Sequence, residues 1–188
     1  AHTPDALSTV LKNIKEQFPQ RNIRLVFGCG GDRDKTKRSK MGKIASKFAD
    51  IIYLTDDNPR SENPKKIRNE IKKVINNKNF VEIPNRKSAI TNCVNDLNSG
   101  DIGIITGKGH EKTQNYNGKI NVFSDRKEIR RCINLKNKKL FRDLRLNIIQ
   151  EKTKLLPQNL KFNNASIDSR ELKTNDIFFA IKGKKNDG

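Results

Sequence analysis

The sequence predicts an α/β fold: a Rossmann-like, doubly wound, mostly parallel sheet with an antiparallel addition, followed by a truncated α/β segment. Three observations predict it. Short apolar or β-branched runs at 23–27, 51–54, 80–83 and 102–105 alternate with stretches whose apolar residues recur at helical spacing. Three of these runs, the first, second and fourth, end in loops rich in Gly, Asp, Asn or Pro, as expected at strand ends. The Asn117-Gly118 pair then marks a tight hairpin after the fourth run.

In chain order, Thr3 caps a helix whose first position is Pro4, with Ala6, Leu7, Val10, Leu11, Ile14 and Phe18 on one apolar face. After the first strand, Gly28, Gly30 and Gly31 give the backbone freedom to turn sharply. Met41, Ile44, Ala45 and Phe48 form the next helical face, and the second strand ends in Asp56-Asp57-Asn58-Pro59-Arg60. Ligands of an open parallel sheet bind beyond the carboxyl ends of its strands, so the loops bearing Arg33 and Arg60 are expected side by side at one edge of a cleft. Either arginine equally suits a solvated surface.

Asn63 and Pro64 open a helix with Ile67, Ile71, Val74 and Ile75 inward, and a further helix carries Ala89, Ile90, Cys93, Val94 and Leu97. The fourth strand runs into Thr106-Gly107-Lys108-Gly109-His110-Glu111, and the hairpin is expected to extend the sheet through Ile120, Val122 and Phe123. Ser124 and Asp125 open a last helix with Ile129 and Ile133, so the first domain is expected to span 1–137. Lys136 to Lys139 reads as a polar break. Beyond it, in a second unit of 138–188, Leu140, Phe141, Leu144 and Ile148 suggest a new helix and 177–181 a strand, too little to bury a core.

A formal charge of +19 invites a nucleic-acid reading, but the cations are scattered over predicted helix faces and loops among Asp and Glu. Aromatics are only 6% and Trp is absent, so stacking platforms for single strands are poorly supplied. Cys29, Cys93 and Cys132 are odd in number and lack paired spacing, which supports neither a disulfide framework nor a zinc site and suits a reducing cytoplasm. No apolar run is long enough to span a bilayer, and no signal-peptide pattern stands at Ala1. The opening Ala1-His2-Thr3-Pro4, without methionine, reads as the middle of a protein.

Most motifs fail when taken singly. Gly28-Cys29-Gly30-Gly31 suggests a dinucleotide turn, yet the third glycine of GxGxxG falls at Arg33, which disfavours a nicotinamide domain. From Gly103 to Lys108 the glycines are one residue too close for a Walker A loop, and Gly109 replaces its Ser or Thr. Gly107 to Glu111 retains chemical content: two flexible positions, exposed carbonyls and a carboxylate suited to an ammonium group. His110 reads as structural, since no nucleophile or metal-ligand pattern accompanies it, and Cys29 as a small packed residue. Asp56 and Asp57, like Asp32 and Asp34, read as turn or cap pairs.

Taken together, AHTPDAL, FGCGGDRDxxKR, TDDNPR and TGKGHE, in this order and spacing, resemble the C-terminal domain of the Mur ligases, in the branch that adds meso-diaminopimelate. The resemblance covers 1–137. SIDSREL, NDIFFAIKG and NDG resemble the start of a Mur ligase N-terminal domain, of the same enzyme type or of the one that adds D-alanyl-D-alanine, as at the junction of a two-ligase fusion. There Asn175 stands where the family usually has glycine, a tolerable exchange because Asn accepts positive φ.

The resemblance implies that Arg33, Asp57, Asn58, Pro59, Arg60, Gly107 and Glu111 hold meso-diaminopimelate, that His2 lies near the nucleotide, and that Ser169 meets UDP-MurNAc. It implies a cytoplasmic, monomeric enzyme of peptidoglycan synthesis whose partners are small molecules: meso-diaminopimelate, the UDP-MurNAc-dipeptide and ATP, with neither nucleic acid nor membrane. ATP and Mg would be bound mainly by a central domain missing here, with an acyl phosphate as intermediate. This chain is therefore expected to bind rather than catalyse and to hold no catalytic or metal-binding residue. A basic nucleic-acid-binding α/β module is the alternative.

Overall fold

A computed structural model of the chain describes residues 1–76, 79–151, 165–166 and 177–178, with side chains described as far as residue 143. Contacts divide the chain into two units, Ala1–Cys132 and Ile133–Gly188. The first begins with helix α1 (Pro4–Gln17), whose capping residue Thr3 accepts the Ala6 N–H on its hydroxyl at 3.3 Å. Then follow β1 (Ile23–Phe27), α2 (Thr36–Phe48), β2 (Ile51–Leu54), α3 (Pro64–Lys72), β3 (Phe80–Glu82), α4 (Arg86–Asp96) and β4 (Ile102–Ile105). The four strands form one wholly parallel sheet in the order β3-β2-β1-β4, so the α/β expectation holds.

Every position of β1 is buried because helices cover both faces of the sheet. Its alternate residues sort accordingly. Ile23, Leu25 and Phe27 pack with Leu7 and Leu11 of α1, Met41 and Ala45 of α2, and Ile67 and Ile71 of α3. Val26, on the opposite face, packs with Tyr53, Ala89, Ile90, Cys93, Val94 and Cys132.

Four features depart from the sequence reading. Val10 and Phe18 are 37% and 45% exposed, so the apolar face of α1 narrows to Leu7 and Leu11, with Ile14 partly buried. The strands β5 (Thr113–Tyr116) and β6 (Lys119–Val122) pair antiparallel as their own two-stranded sheet instead of extending the main one. The hairpin pairs with the loop after β2: Arg60 N–H donates to Asn115 O at 3.1 Å, and Asn117 N–H to Arg60 O at 2.6 Å. Ile120 and Val122 consequently stand exposed.

Helix α5 (Asp125–Glu151) runs unbroken through the expected break at Lys136 to Lys139, which holds no Gly or Pro to stop it and three lysines that favour helix. Scattered cations also prove an incomplete description, since Arg24, Arg38, Arg68, Arg86 and Lys108 are all buried. In the second unit the two-residue strands β7 (Ala165–Ser166) and β8 (Ile177–Phe178) pair in parallel. Ser169, Asn175 and the rest of the strand expected at 177–181 lie outside the described residues.

Candidate ligand site at the carboxyl edge of the sheet

The loops after β1 and β2 meet in contact too close for side chains. A Cβ on Gly28 would stand 2.1 Å from Thr55 O, and one on Gly31 would stand 1.9 Å from Pro59 O. These glycines are therefore required by close approach. The left-handed backbone occurs elsewhere, at Asp32 (φ 51°) and Arg60 (φ 53°), one in each loop.

Cross-loop bonds hold these two turns together. Gly31 N–H donates to Asn58 O at 2.8 Å; Asp32 accepts from the Ser61 hydroxyl at 2.6 Å and from its N–H at 3.1 Å; Glu62 accepts from Asp32 N–H at 2.7 Å. The Ser61 bonds hold the Asp32 carboxyl below its ordinary value. Buried Arg38 braces the pair from α2, donating to Glu62 and Glu70, each at 2.8 Å.

Asp56 and Asp57 diverge, as neighbours in extended backbone must. Asp56 pairs with Arg68 and accepts from the Tyr116 hydroxyl at 3.1 Å. Burial raises its carboxyl pKa in spite of the Arg68 guanidinium. Asp57 turns toward the loop after β4, with Oδ1 3.4 Å from Lys108 Nζ and Oδ2 3.5 Å from the place a Gly107 Cβ would take. Gln114 of the hairpin ties both residues down, donating to Asp57 O at 2.7 Å and Asp56 O at 3.2 Å.

Gly107 (φ 115°) and Gly109 (φ 55°), the two flexible positions of this loop, both take positive φ. Between them Lys108 is buried and donates to Asn58 Oδ1 at 2.8 Å and Thr113 O at 2.7 Å. Asn58 Nδ2 in turn donates to Glu111 Oε2 at 2.8 Å. Desolvation would raise the Glu111 carboxyl, but the Asn58 bond and the Lys108 charge outweigh it and hold Glu111 below its ordinary value. Arg60 lies half-buried, donating from Nη1 to Gly31 O at 2.7 Å.

The structure thus joins Asp57, Asn58, Pro59, Arg60, Gly107 and Glu111 into one edge. Arg33 is exposed next to Asp32, on the same turn, and His2 is exposed just before α1. Lys108, Gln114 and the Arg86–Asp125 pair were missed as contributors. Arg86 makes a fork to Asp125, at 2.8 and 2.7 Å, and also donates to Thr106 O at 2.7 Å, pinning the strand end before Gly107. The only advance signal was Lys108 between two glycines at a strand end.

Such an edge presents guanidinium donors beside an ionised carboxylate and backbone carbonyls, which suits a zwitterionic amino-acid head. Burial pushes the Cys29 thiol up to about 12, so it is held as the neutral thiol. Among the described residues no group of three or more His, Cys, Asp or Glu could hold a metal ion. Gly103 lies inside β4, paired with Arg24, so 103–108 does not form a phosphate loop. No described helix is long and apolar enough to cross a membrane.

Residues 1–109 match the family model described as Mur ligase, glutamate ligase domain. The chain is 50% identical over 135 residues to a UDP-N-acetylmuramoyl-L-alanyl-D-glutamate--2,6-diaminopimelate ligase of Anaplasma marginale, covering 71% of this chain and 28% of that protein. It is 51% identical over 136 residues to the protein of the same name from Rickettsia rickettsii, with the same coverage of 71% and 28%. A solved structure of a ligase of that name aligns with a TM-score of 0.68 at 42% identity, over 73% of this chain and 28% of the other. The chain therefore spans little more than a quarter of the length of these curated relatives.

Proposed function

Because the chain belongs to the Mur ligase family, we propose that it is the amino-acid-binding part of a ligase that adds meso-diaminopimelate to UDP-N-acetylmuramoyl-L-alanyl-D-glutamate in peptidoglycan synthesis. The observation that carries this reading is the joined edge itself, with Arg60 on one side and the Asn58–Glu111 pair on the other.

Diaminopimelate ends in a carboxylate and an ammonium at its far end. Arg60, supported by Arg33 and the Asn58 amide, offers a planar fork to the carboxylate, while Glu111 and the Gly107 carbonyl accept from the ammonium. Asp57 and Pro59 hold the loop that carries Asn58 and Arg60. Binding at this end leaves the second amino group of the substrate to react, so these residues position the nucleophile and none is catalytic.

ATP and Mg belong to the proposed reaction, and ATP-dependent activation of the acceptor carboxylate is its chemistry. The described residues do not form a phosphate-binding loop, so we assign nucleotide binding to the remaining length of the ligase, with His2 beside it. We also assign the segment from 138 onward to the start of a Mur ligase N-terminal domain, in which Ser169 meets UDP-MurNAc. Ligase action on soluble precursors places the protein in the cytoplasm.

The test is amino-acid selectivity in the complete ligase that carries this chain. Lysine shares the reacting end and lacks the distal carboxylate, leaving the Arg60 donors beyond the Gly31 bond without their partner in the closed site, so kcat/KM should favour meso-diaminopimelate by on the order of a thousandfold or more. A wild-type preference for lysine would refute the assignment.

A further inference from the structure

We infer that Lys108 is the positioning residue of this edge, setting the Asn58 amide and the Glu111 carboxylate for the amino-acid head they receive; the inference rests on the function proposed above. The Lys108 side chain is 0% exposed, so it acts through its neighbours and not on the ligand. A buried ammonium has three donors to satisfy. Lys108 directs them to Asn58 Oδ1 (2.8 Å), Thr113 O (2.7 Å) and Glu111 Oε2 (3.4 Å), with Asp57 Oδ1 also at 3.4 Å.

This arrangement decides which way the Asn58 amide points. Its Oδ1 accepts from Lys108 and also from the Asn115 N–H at 3.0 Å, which occupies both lone pairs. Turning the amide over would set its NH2 group against two donors, so Nδ2 is directed to Glu111 Oε2, with its second N–H left to donate to a ligand carboxylate. The Glu111 carboxylate is fixed by the same hub. Both of its bonds fall on Oε2, so among the described residues Oε1 is left to accept from a ligand ammonium. One lysine set against Asp57 and Glu111 leaves the ammonium end of the site net negative.

The inference is tested by Lys108→Met in the complete ligase, with KM measured separately for meso-diaminopimelate and ATP. The expected result is a rise in KM for diaminopimelate and a loss of about 100-fold in kcat/KM, with KM for ATP within about twofold of wild type. In an Asn58→Ala background the same substitution should cost clearly less than it does alone, because only the Glu111 contact is then left for Lys108 to position. Equal losses in both backgrounds, or a parallel rise in both KM values, would show a merely structural lysine.

If Lys108→Met fails to fold by circular dichroism, Asn58→Asp serves instead. It retains both acceptor bonds to Lys108 and Asn115 but replaces the Nδ2 donor with a carboxylate oxygen facing Glu111 Oε2, so it should melt below wild type yet fold, and raise KM for diaminopimelate while KM for ATP stays within about twofold. Wild-type KM in that variant would overturn the inference. A wild-type enzyme that ignores diaminopimelate would refute the functional reading, whereas one that uses it and is unmoved by Lys108→Met would refute the positioning role alone.

Discussion

The helical layer that packs on Ile23, Leu25 and Phe27 and the loops beyond the carboxyl edge of the sheet are both buried, but by opposite kinds of side chain. The layer is closed by the apolar side chains of Leu7, Leu11, Met41, Ala45, Ile67 and Ile71, whose packing is not directional. At the edge the buried side chains are Asp56, Asp57, Asn58, Arg86, Lys108 and Gln114. Apolar packing asks only for volume and pattern, so it stabilises without fixing any one orientation. A buried polar group must meet its partner at a set angle, so each pair at the edge orients the next. Buried ion pairs contribute little net stability over an apolar replacement, which leaves geometry as what this edge gains from them.

The largest effect should come from breaking one half of such a pair. Arg86 is fully buried and Asp125 7% exposed, so Arg86→Met should lower the unfolding free energy by about 3–5 kcal/mol, read from denaturant melts. The double variant Arg86→Met with Asp125→Leu should recover to within about 1 kcal/mol of wild type, because no uncompensated charge then remains. If the double variant stays as unstable as the single one, the edge is a stabilising core after all and the contrast between the regions fails.

A smaller effect concerns pH. The Arg38 bond holds Glu62, and the Arg68 bond holds Glu82, below the ordinary glutamate value of 4.5. A carboxyl depressed on folding contributes stability that is complete above its unfolded value and is lost as pH falls through the folded one. Asp56 runs the other way, since burial raises it, and its protonation in acid returns part of that loss. Asp32, Asp34, Asp101, Glu111 and Glu128 are depressed as well, and seven lowered carboxyls against one raised predict melting temperatures that fall below about pH 4.5, a limb that Glu62→Gln should flatten. An unchanged acid limb in Glu62→Gln would show that this brace does not couple to folding.

The apolar layer was legible because its signal is periodic: the runs at β1, β2 and β4 and the spacing of Met41, Ala45, Ile67 and Ile71 each announce a face. At the edge the residues alone gave the neighbouring loops of Arg33 and Arg60 and the chemical content of Gly107 to Glu111, and the resemblance supplied the joining of these into one site. Asn58 and Glu111 are 53 residues apart and their bond leaves no local pattern, and Lys108 looks in sequence like any other cation among many. Gly28 and Gly31 were recognised as necessary for the wrong reason, since a close approach to Thr55 and Pro59 across the sheet edge has no signature in the turn itself. The hairpin was recognised from Asn117-Gly118, but its partner was not, because strand pairing with a loop such as Arg60 breaks the rule that strands join sheets.

The central claim is that this polar edge grips the distal carboxylate of diaminopimelate through Arg60, and Arg60→Ala in the complete ligase tests it most directly. The half-buried guanidinium is anchored to Gly31 O by one of its five donors, which leaves the others for a carboxylate. Removing it should cut kcat/KM for meso-diaminopimelate by about a hundredfold or more while KM for ATP stays within about twofold. A near-normal kcat/KM for diaminopimelate in this variant would contradict the assignment of the loop.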